Sequence, residues 1–448
     1  MDRVYLVSLG CPKNRVDSEV MVGKLQGGAC EMVNSPEDAD VIVVNTCSFI
    51  QPATEESIET VLEMAKFKEE GSCKKLVVTG CMVQRYGTAL EGELPEVDHF
   101  LGTGEYHRID EILAARASEI PRSYIDTPMY IHDEMAPRVN SWARHSAYLK
   151  ISEGCNHRCS FCIIPQLRGK LRSRTIESLA VEALALASKG VRELNLVSQD
   201  STAYGRDIYG KPDLAGLLKA LVKVEGIDWI RIHYAYPIGL PDELLEVIAT
   251  EPKVLSYLDM PLQHASGPML KAMKRGVTRA GQERILARVR TAIPDISIRT
   301  TFIVGFPGET QDDFDVLMDF VEKERFSRVG VFTYCEETGT PAAELPGQVP
   351  EELRAERQER LMKLQADISL QKNQALVGQI HPVMVDGFSE ETDLLLKGRL
   401  ATQAPDVDGH VLLTSAPRGV KAGDILPARI TRATEHDLVA EFAEFAEA

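Results

Sequence analysis

Short aliphatic and β-branched runs alternate with helix-length amphipathic stretches over most of the chain. Val4-Tyr5-Leu6-Val7-Ser8-Leu9, Val41-Ile42-Val43-Val44 and Leu76-Val77-Val78 read as strands, with helical patterns from Asp17 to about Gln26 and from about Thr54 to Lys68 between them. Continuous apolar runs suit strands covered on both faces, so residues 1–115 are expected to form a parallel α/β unit. A second βα series starts at Tyr148. Its strands are expected near 147–152, 192–198, 228–234, 255–260, 296–304 and 328–334, and its helices near 176–189, 213–224, 241–250, 279–291 and 310–323. Six such steps predict a partial, TIM-like βα barrel. Pro350 then opens a charged helix from Glu351 to about Leu376 with an apolar stripe of Leu353, Leu361, Leu364 and Ile368, which completes a unit spanning 146–375. Residues 116–145 hold Pro121, Pro128 and Pro137 without periodicity and are expected to form a linker or wrapped connection. In 376–448 the texture changes to short strands at Pro382–Val385, Leu394–Leu396, His410–Leu413 and Ile425–Ile430, which predict a small antiparallel β barrel of about five strands.

Composition changes this picture little. Hydrophobic residues at 44% and charged residues at 26% are ordinary for a globular chain of 448 residues, and no apolar run approaches the roughly 18 residues of a membrane span. A cytoplasmic location is therefore expected. The net charge of −17 is unevenly spread: residues 375–448 carry 6 Lys and Arg against 12 Asp and Glu, whereas 137–374 are nearly balanced. An acidic terminal unit opposes phosphate contacts and favours a basic protein partner, so direct nucleic-acid binding is not expected to dominate.

Cysteine placement is the strongest chemical signal. Nine cysteines in a reducing compartment point to metal or catalysis rather than to disulfides. Cys11, Cys47 and Cys81 each follow one of the first three strands, and since parallel strands end on one side, the three should converge at one edge of the sheet. Cys155, Cys159 and Cys162 lie within eight residues directly after the first barrel strand. Three thiolates leave one iron of a four-iron cube open to another ligand, which distinguishes this set from an electron carrier's four. A zinc site would need His157 as a fourth ligand inside a tight loop, against the usual pairing of separated knuckles. Cys30, read as ending a helix, and Cys73 lack this placement and read as plain thiols, and Cys335 is a spare thiol near the barrel mouth.

The Cys155-x-x-x-Cys159-x-x-Cys162 motif in its barrel context resembles the radical S-adenosylmethionine superfamily. That resemblance implies a 4Fe-4S cluster whose open iron binds S-adenosylmethionine and whose electron cleaves it to a 5'-deoxyadenosyl radical. It also implies cofactor contacts at Phe161, before the last cysteine, and at Gly305, Gly308 and Glu309 of the segment Val304-Gly305-Phe306-Pro307-Gly308-Glu309-Thr310. Barrel packing for Phe161 and a plain tight turn for the glycines are the alternatives. Gln199 and Asp200 end the second strand, where polar side chains reach a barrel mouth, and are further candidates. His264 is weaker. The basic run Arg168, Lys170, Arg172 and Arg174 is either a solvated face or a holder of an acidic substrate or of the cofactor carboxylate.

With a second three-cysteine set ahead of the barrel and a TRAM-like unit behind it, nearly the whole chain resembles the methylthiotransferases. The segments Ser8-Leu9-Gly10-Cys11-Pro12-Lys13-Asn14-Arg15-Val16-Asp17-Ser18-Glu19, Val197-Ser198-Gln199-Asp200 and Tyr257-Leu258-Asp259-Met260-Pro261-Leu262-Gln263-His264 resemble the branch that modifies an aspartate of small-subunit ribosomal protein S-twelve. Arg15 departs from that branch's usual leucine and Cys335 from its usual serine. The resemblance implies two 4Fe-4S clusters, S-adenosylmethionine as both methyl donor and radical source, and a methylthio group placed on the aspartate β-carbon. Basic ribosomal protein S-twelve, free or in the small subunit, would be the substrate, and a reductant protein such as a flavodoxin would supply electrons. The competing expectations are a transfer-RNA adenosine methylthiotransferase and a non-catalytic iron–sulfur electron carrier.

Overall fold

The computed structural model describes residues 2–28, 30–115, 120–390, 392, 395–414 and 416–443. Its first unit is a sheet of six parallel strands, β1 (Asp2–Ser8), β2 (Cys30–Met32), β3 (Val41–Thr46), β4 (Lys75–Gly80), β5 (His99–Leu101) and β6 (Ser123–Tyr124), in the order β2-β1-β3-β4-β5-β6. Helices α1 (Pro12–Gly27), α2 (Gln51–Glu69), α3 (Cys81–Tyr86), α4 (Leu90–Glu93) and α5 (Ile109–Ala114) belong to this unit. Alternation along β3 shows why its run is continuous: Val41 and Val43 enter one apolar core, Ile42 and Val44 the other. Both faces are covered, so every residue of β3 is buried. The short strands β2, β5 and β6 carry too few residues to display a period. Cys30 begins β2 rather than ending a helix.

Residues 120–145 wrap across the first unit. β6 adds an edge strand to its sheet. Further on, Pro137 packs so close to Gly23 of α1 that a Cβ there would lie 2.3 Å from its carbonyl oxygen, and Val139 N–H donates to the Glu19 carbonyl at 3.2 Å.

The central unit runs β7 (Ser146–Lys150), β8 (Ser152–Glu153), α6 (Ile164–Arg168), β9 (Arg172–Ser173), α7 (Ile176–Ser188), β10 (Glu193–Val197), α8 (Arg206–Tyr209), α9 (Leu214–Leu221), β11 (Trp229–Ile232), α10 (Asp242–Thr250), β12 (Val254–Asp259), α11 (Gly267–Ala272), α12 (Arg279–Ala292), β13 (Ser297–Val304), α13 (Gln311–Glu324) and β14 (Arg328–Thr333). Six of its strands form a parallel sheet in the order β14-β13-β12-β11-β10-β7, and among the described residues no ladder joins β14 to β7, so the barrel is partial. β8 and β9 pair antiparallel and close the base of the loop that carries Cys155, Cys159 and Cys162. Apolar helix faces cover the sheet in one large core, which also takes Leu361 and Ile368 of α14 (Glu351–Gln374). Helix starts are chemically marked: Thr175, Asp213 and Thr278 cap α7, α9 and α12, and Thr310 with Asp313 forms a capping box on α13.

Strands β15 (Ile380–Phe388), β16 (Leu396–Leu400), β17 (Val411–Thr414), β18 (Ile425–Ala433) and β19 (Leu438–Phe442) close into a barrel in the order β15-β16-β17-β19-β18. All pairs are antiparallel except β17 with β19, which run parallel. Leu394 lies outside the described residues, and β16 begins at Leu396. This unit docks on the amino-terminal ends of the central strands. Fully buried Glu193 of β10 accepts from Arg231 and from Arg399, which also grips Asp386. The Tyr257 hydroxyl donates to Asp408 at 2.9 Å, and Arg15 of the first unit pairs with Asp406 at 3.5 Å. Asp406 and Asp408 are therefore interdomain fasteners rather than free charges. Arg399→Leu is expected to cost about 2–3 kcal/mol, since hydrogen bonds to charged groups contribute roughly 1.5–3 kcal/mol. Limited proteolysis should then cut sooner after α14, and an unchanged cleavage rate would show that Arg231 alone holds Glu193.

The two cysteine sites and the barrel mouth

β1, β3 and β4 are neighbours in the sheet, and Cys11, Cys47 and Cys81 stand just beyond their ends. Gly10, at φ +85°, passes so near Cys47 that a Cβ would lie 2.9 Å from its Sγ. At Gly80, with φ +100°, a Cβ would meet the Thr46 carbonyl oxygen and Asn45 Oδ1 at 2.5 Å. Both positions need glycine on conformational and steric grounds. Ser57 fixes the Cys47 backbone, accepting from its N–H at 3.0 Å and donating to its carbonyl at 2.7 Å. Burial pushes the Cys81 thiol up to about 12 and also raises that of Cys47. The Arg168 guanidinium opposes this at Cys81, donating to its Sγ at 3.5 Å.

In the second set, Cys155 N–H donates to the Gly169 carbonyl and Cys162 N–H to that of Cys159, at 3.1 and 3.2 Å. Ser160 is pinned through its N–H to Met273 and through its hydroxyl to Ala272. Arg275 donates to Cys159 Sγ at 3.4 Å and lies over the Tyr236 ring. His157 stacks on Tyr236 and bonds Asp200 Oδ2 at 2.7 Å, so its ring is engaged away from the thiols. Burial raises Cys155 to about 11 and Cys162 to about 12, so metal binding at these buried thiols must displace their protons.

Among the described residues no three His, Cys, Asp or Glu side chains close around a single metal ion. A four-iron cube spreads its thiolates wider, and three unpaired thiols with one guanidinium donor to sulfur at each site suit such a group. The residues present fit two clusters.

A buried ionic chain runs from the first site to the barrel mouth. Arg168 Nη1 donates to Asp17 at 2.6 Å and to Glu153 at 3.1 Å, and Arg168 Nη2 donates to Asn14 Oδ1 at 2.9 Å. Lys150 contacts both Asp17 and Glu153, and Gln199 Nε2 donates to Glu153 Oε1 at 2.5 Å. Burial alone would raise the Glu153 carboxyl, but Lys150 and Arg168 hold it well below the ordinary range. The path from Cys81 through Arg168 and Glu153 reaches Gln199 at the mouth of the second strand. Arg174 is likewise buried, on Glu182, and Lys170 alone of the basic run is exposed.

The other candidates divide. Asp200 accepts from Thr202 N–H and hydroxyl as well as from His157. Phe161 packs against Met269, Met273, Phe306 and Tyr334. Gly305, at φ +71°, gives room to Arg354, whose Cγ would stand 2.1 Å from a Cβ there, and Gly308, at φ +81°, donates to the Gly347 carbonyl. The Glu309 carboxylate accepts from Gly305 N–H at 2.7 Å and pairs with Arg357 at 2.9 Å, which shapes the glycine loop from below. His264 is fully buried, accepts from Ser266 N–H through Nδ1 and holds Nε2 3.6 Å from Glu309 Oε2. Cys335 donates to Glu337, which also pairs with Arg85 of α3.

Comparison with known proteins bears on this geometry. Residues 3–102 match the family described as "Uncharacterized protein family UPF0004", 149–321 the radical SAM superfamily and 377–443 the TRAM domain. Over 441 residues the chain is 50% identical to the ribosomal protein uS12 methylthiotransferase RimO of Geobacter sulfurreducens, covering 98% of each. It is 52% identical to the protein of that name in Anaeromyxobacter sp. (strain Fw109-5), covering 98% of this chain and 92% of the relative. The chain belongs to the RimO methylthiotransferase family. Solved structures confirm the fold at distant identity. The radical S-adenosylmethionine methyltransferase TsrM of Kitasatospora setae, with cobalamin and a [4Fe-4S] cluster bound, superposes with a TM-score of 0.57 at 14% identity, over 85% of this chain and 77% of that one. The cobalamin-dependent enzyme OxsB, with aqua-cobalamin and S-adenosylmethionine bound, gives 0.52 at 13% identity, over 82% and 56%. The RimO relatives span all three units, so both cysteine sites and the docked barrel lie within the shared length. The sequence did not single out Lys150, Glu153 or Arg275, because Asp17, Arg168 and Cys159, which they meet, lie fifteen or more residues away.

Proposed function

We propose that this chain methylthiolates the β-carbon of an aspartate in ribosomal protein uS12. The observation that carries the reading is the meeting of two three-cysteine sites, with Cys81 packed against Ile163, the residue after Cys162, in a chain that is RimO-like from end to end. Two 4Fe-4S clusters and S-adenosylmethionine, when bound, supply one-electron cleavage of the cofactor together with sulfur and methyl delivery. An unactivated carbon–hydrogen bond requires that chemistry, because no side-chain base removes a proton from such a carbon.

The chain's own residues have distinct tasks. Cys155, Cys159 and Cys162 hold the cluster that binds S-adenosylmethionine, and Cys11, Cys47 and Cys81 hold the auxiliary one. Arg275 and Arg168 place positive charge against one sulfur at each site. Phe161, Gln199, Asp200, Gly305 and Gly308 surround the cofactor position, with Glu309 as the brace beneath the glycine loop. A reductant protein of the flavodoxin kind supplies electrons, and the reaction takes place in the cytoplasm. Among the described residues no helix is long and apolar enough to cross a membrane.

The test is anaerobic reaction of the reconstituted enzyme with uS12, S-adenosylmethionine and a chemical reductant, followed by peptide mass spectrometry. A methylthio group on one aspartate is the expected result. Modification of transfer-RNA adenosine with uS12 untouched would overturn the reading, as would cluster reduction without cleavage of S-adenosylmethionine.

A further inference from the structure

Lys13 is out of place for a lysine. It lies in the first turn of α1, two residues after Cys11, and is only 8% exposed. Lysines are seldom buried without a paired charge, since burying an ammonium is costly. Among the described residues no carboxylate forms an ion pair with it; its partners are the Tyr234 side chain, whose ring centroid is 3.7 Å from the ammonium, and the Cys11 thiol. The nearby carboxylates are taken: Glu153 by Lys150, Arg168 and Gln199, and Asp17 by Lys150 and Arg168. The helix end adds to the imbalance. The first turn of α1 has no acidic residue, and its N-cap, Cys11, makes no side-chain capping bond. A positive helix terminus and an ammonium thus share one place beside the Cys11 thiol, and among the described residues no carboxylate pairs with either.

Tyr234 directs that charge toward the barrel. It follows β11 and holds a left-handed backbone at φ +59°, unusual for a bulky side chain. Its ring packs with Val16 of α1, Tyr148 of β7 and Val197 of β10, so Lys13 stands where the first unit's Cys11 edge faces the carboxyl ends of the central strands. A group meant to receive sulfur from the auxiliary site must come to this place.

We propose that Lys13 is the anchor for the carboxylate of the substrate aspartate. This rests on the reading of the reaction given above and adds to it how aspartate is told apart from other side chains. The carbon to be modified is bonded directly to that carboxylate, so an ammonium beside Cys11 holds the reacting carbon close to the auxiliary site. It also neutralises the negative group that the basic ribosomal protein would bring into the cleft.

The experiment compares two synthetic peptides of uS12, one with the target aspartate and one with asparagine there, on fully reconstituted wild type, Lys13→Met and Lys13→Arg. Affinity is read by fluorescence anisotropy, and iron content and the auxiliary cluster's electron paramagnetic resonance signal are recorded for each variant. Wild type should prefer the aspartate peptide about a hundredfold, the scale expected when one partner of a buried charge pair is removed. Lys13→Met should bind both peptides alike, at the wild-type affinity for the asparagine peptide, and Lys13→Arg should regain much of the preference. Equal losses for both peptides in Lys13→Met would overturn the anchor, and so would a preference kept intact beside an altered auxiliary signal, which would assign Lys13 to the cluster. A wild type that binds neither peptide would instead strike the substrate reading itself, and the anchor with it.

Discussion

A Cys47→Ala enzyme is expected to make no methylthiolated uS12 while still cleaving S-adenosylmethionine reductively. Cys47 follows β3, the strand between β1 and β4, so its thiol belongs between those of Cys11 and Cys81. Two thiolates cannot retain a four-iron cluster as three do, whereas the Cys155 loop is fixed by its own bonds to Gly169, Met273 and Ala272. Iron analysis should read about eight per wild-type chain and about four for this variant, two four-iron clusters becoming one. Replacing Cys155, Cys159 and Cys162 together should also leave about four irons, but with no cleavage. Product from Cys47→Ala at the wild-type rate would remove the auxiliary site from the reaction, and stoichiometric zinc in the wild type would sink both assignments.

Arg168→Met should be the most damaging single change outside the cysteines. It leaves Asp17 and Glu153, both with side chains only 4% exposed, sharing Lys150, the one other cation paired with them among the described residues. Removing one partner from a buried ionic group typically costs about 3–5 kcal/mol, because the charge left behind stays out of water. Urea unfolding of the apo protein under reducing conditions should register a loss of that size, and adding Asp17→Asn should recover part of it. A loss below about 1 kcal/mol would mean that water takes the guanidinium's place. The same variant removes the donor to Cys81 Sγ, so the auxiliary signal should change even where iron is retained.

What could be read from the sequence was whatever repeats at short range. The strand run Val41–Val44 and the barrel helices declared themselves because a period of two or 3.6 residues is written locally, and the cysteines because their spacing matched the βα step. α1 was harder. Its buried residues include Lys13, Asn14, Asp17, Ser18 and Glu19, so a face that meets another unit's charges looks like a face that meets water. Arg275 sits in an ordinary basic turn, and only the return of the chain after β12 brings it to Cys159. Asp406 and Asp408 read as solvent charges for the same reason: Arg15, Tyr148, Tyr257 and Arg299, which take them up, precede them by more than a hundred residues.

The reach of Arg168 also bears on the order in which the molecule is put together. It lies 87 residues beyond Cys81 and 151 beyond Asp17, so a ribosome making this chain completes the first sheet well before that guanidinium exists. Until then Asp17 and Glu19 have neither Arg168 nor Arg138, and the edge holding Cys11, Cys47 and Cys81 stays open to water. Iron delivered at that point would meet three thiols without their positive neighbour. Stable loading of the earlier-made site therefore waits on the later-made segment, and the second site waits longer still, until Ala272, Met273 and Arg275 have been added.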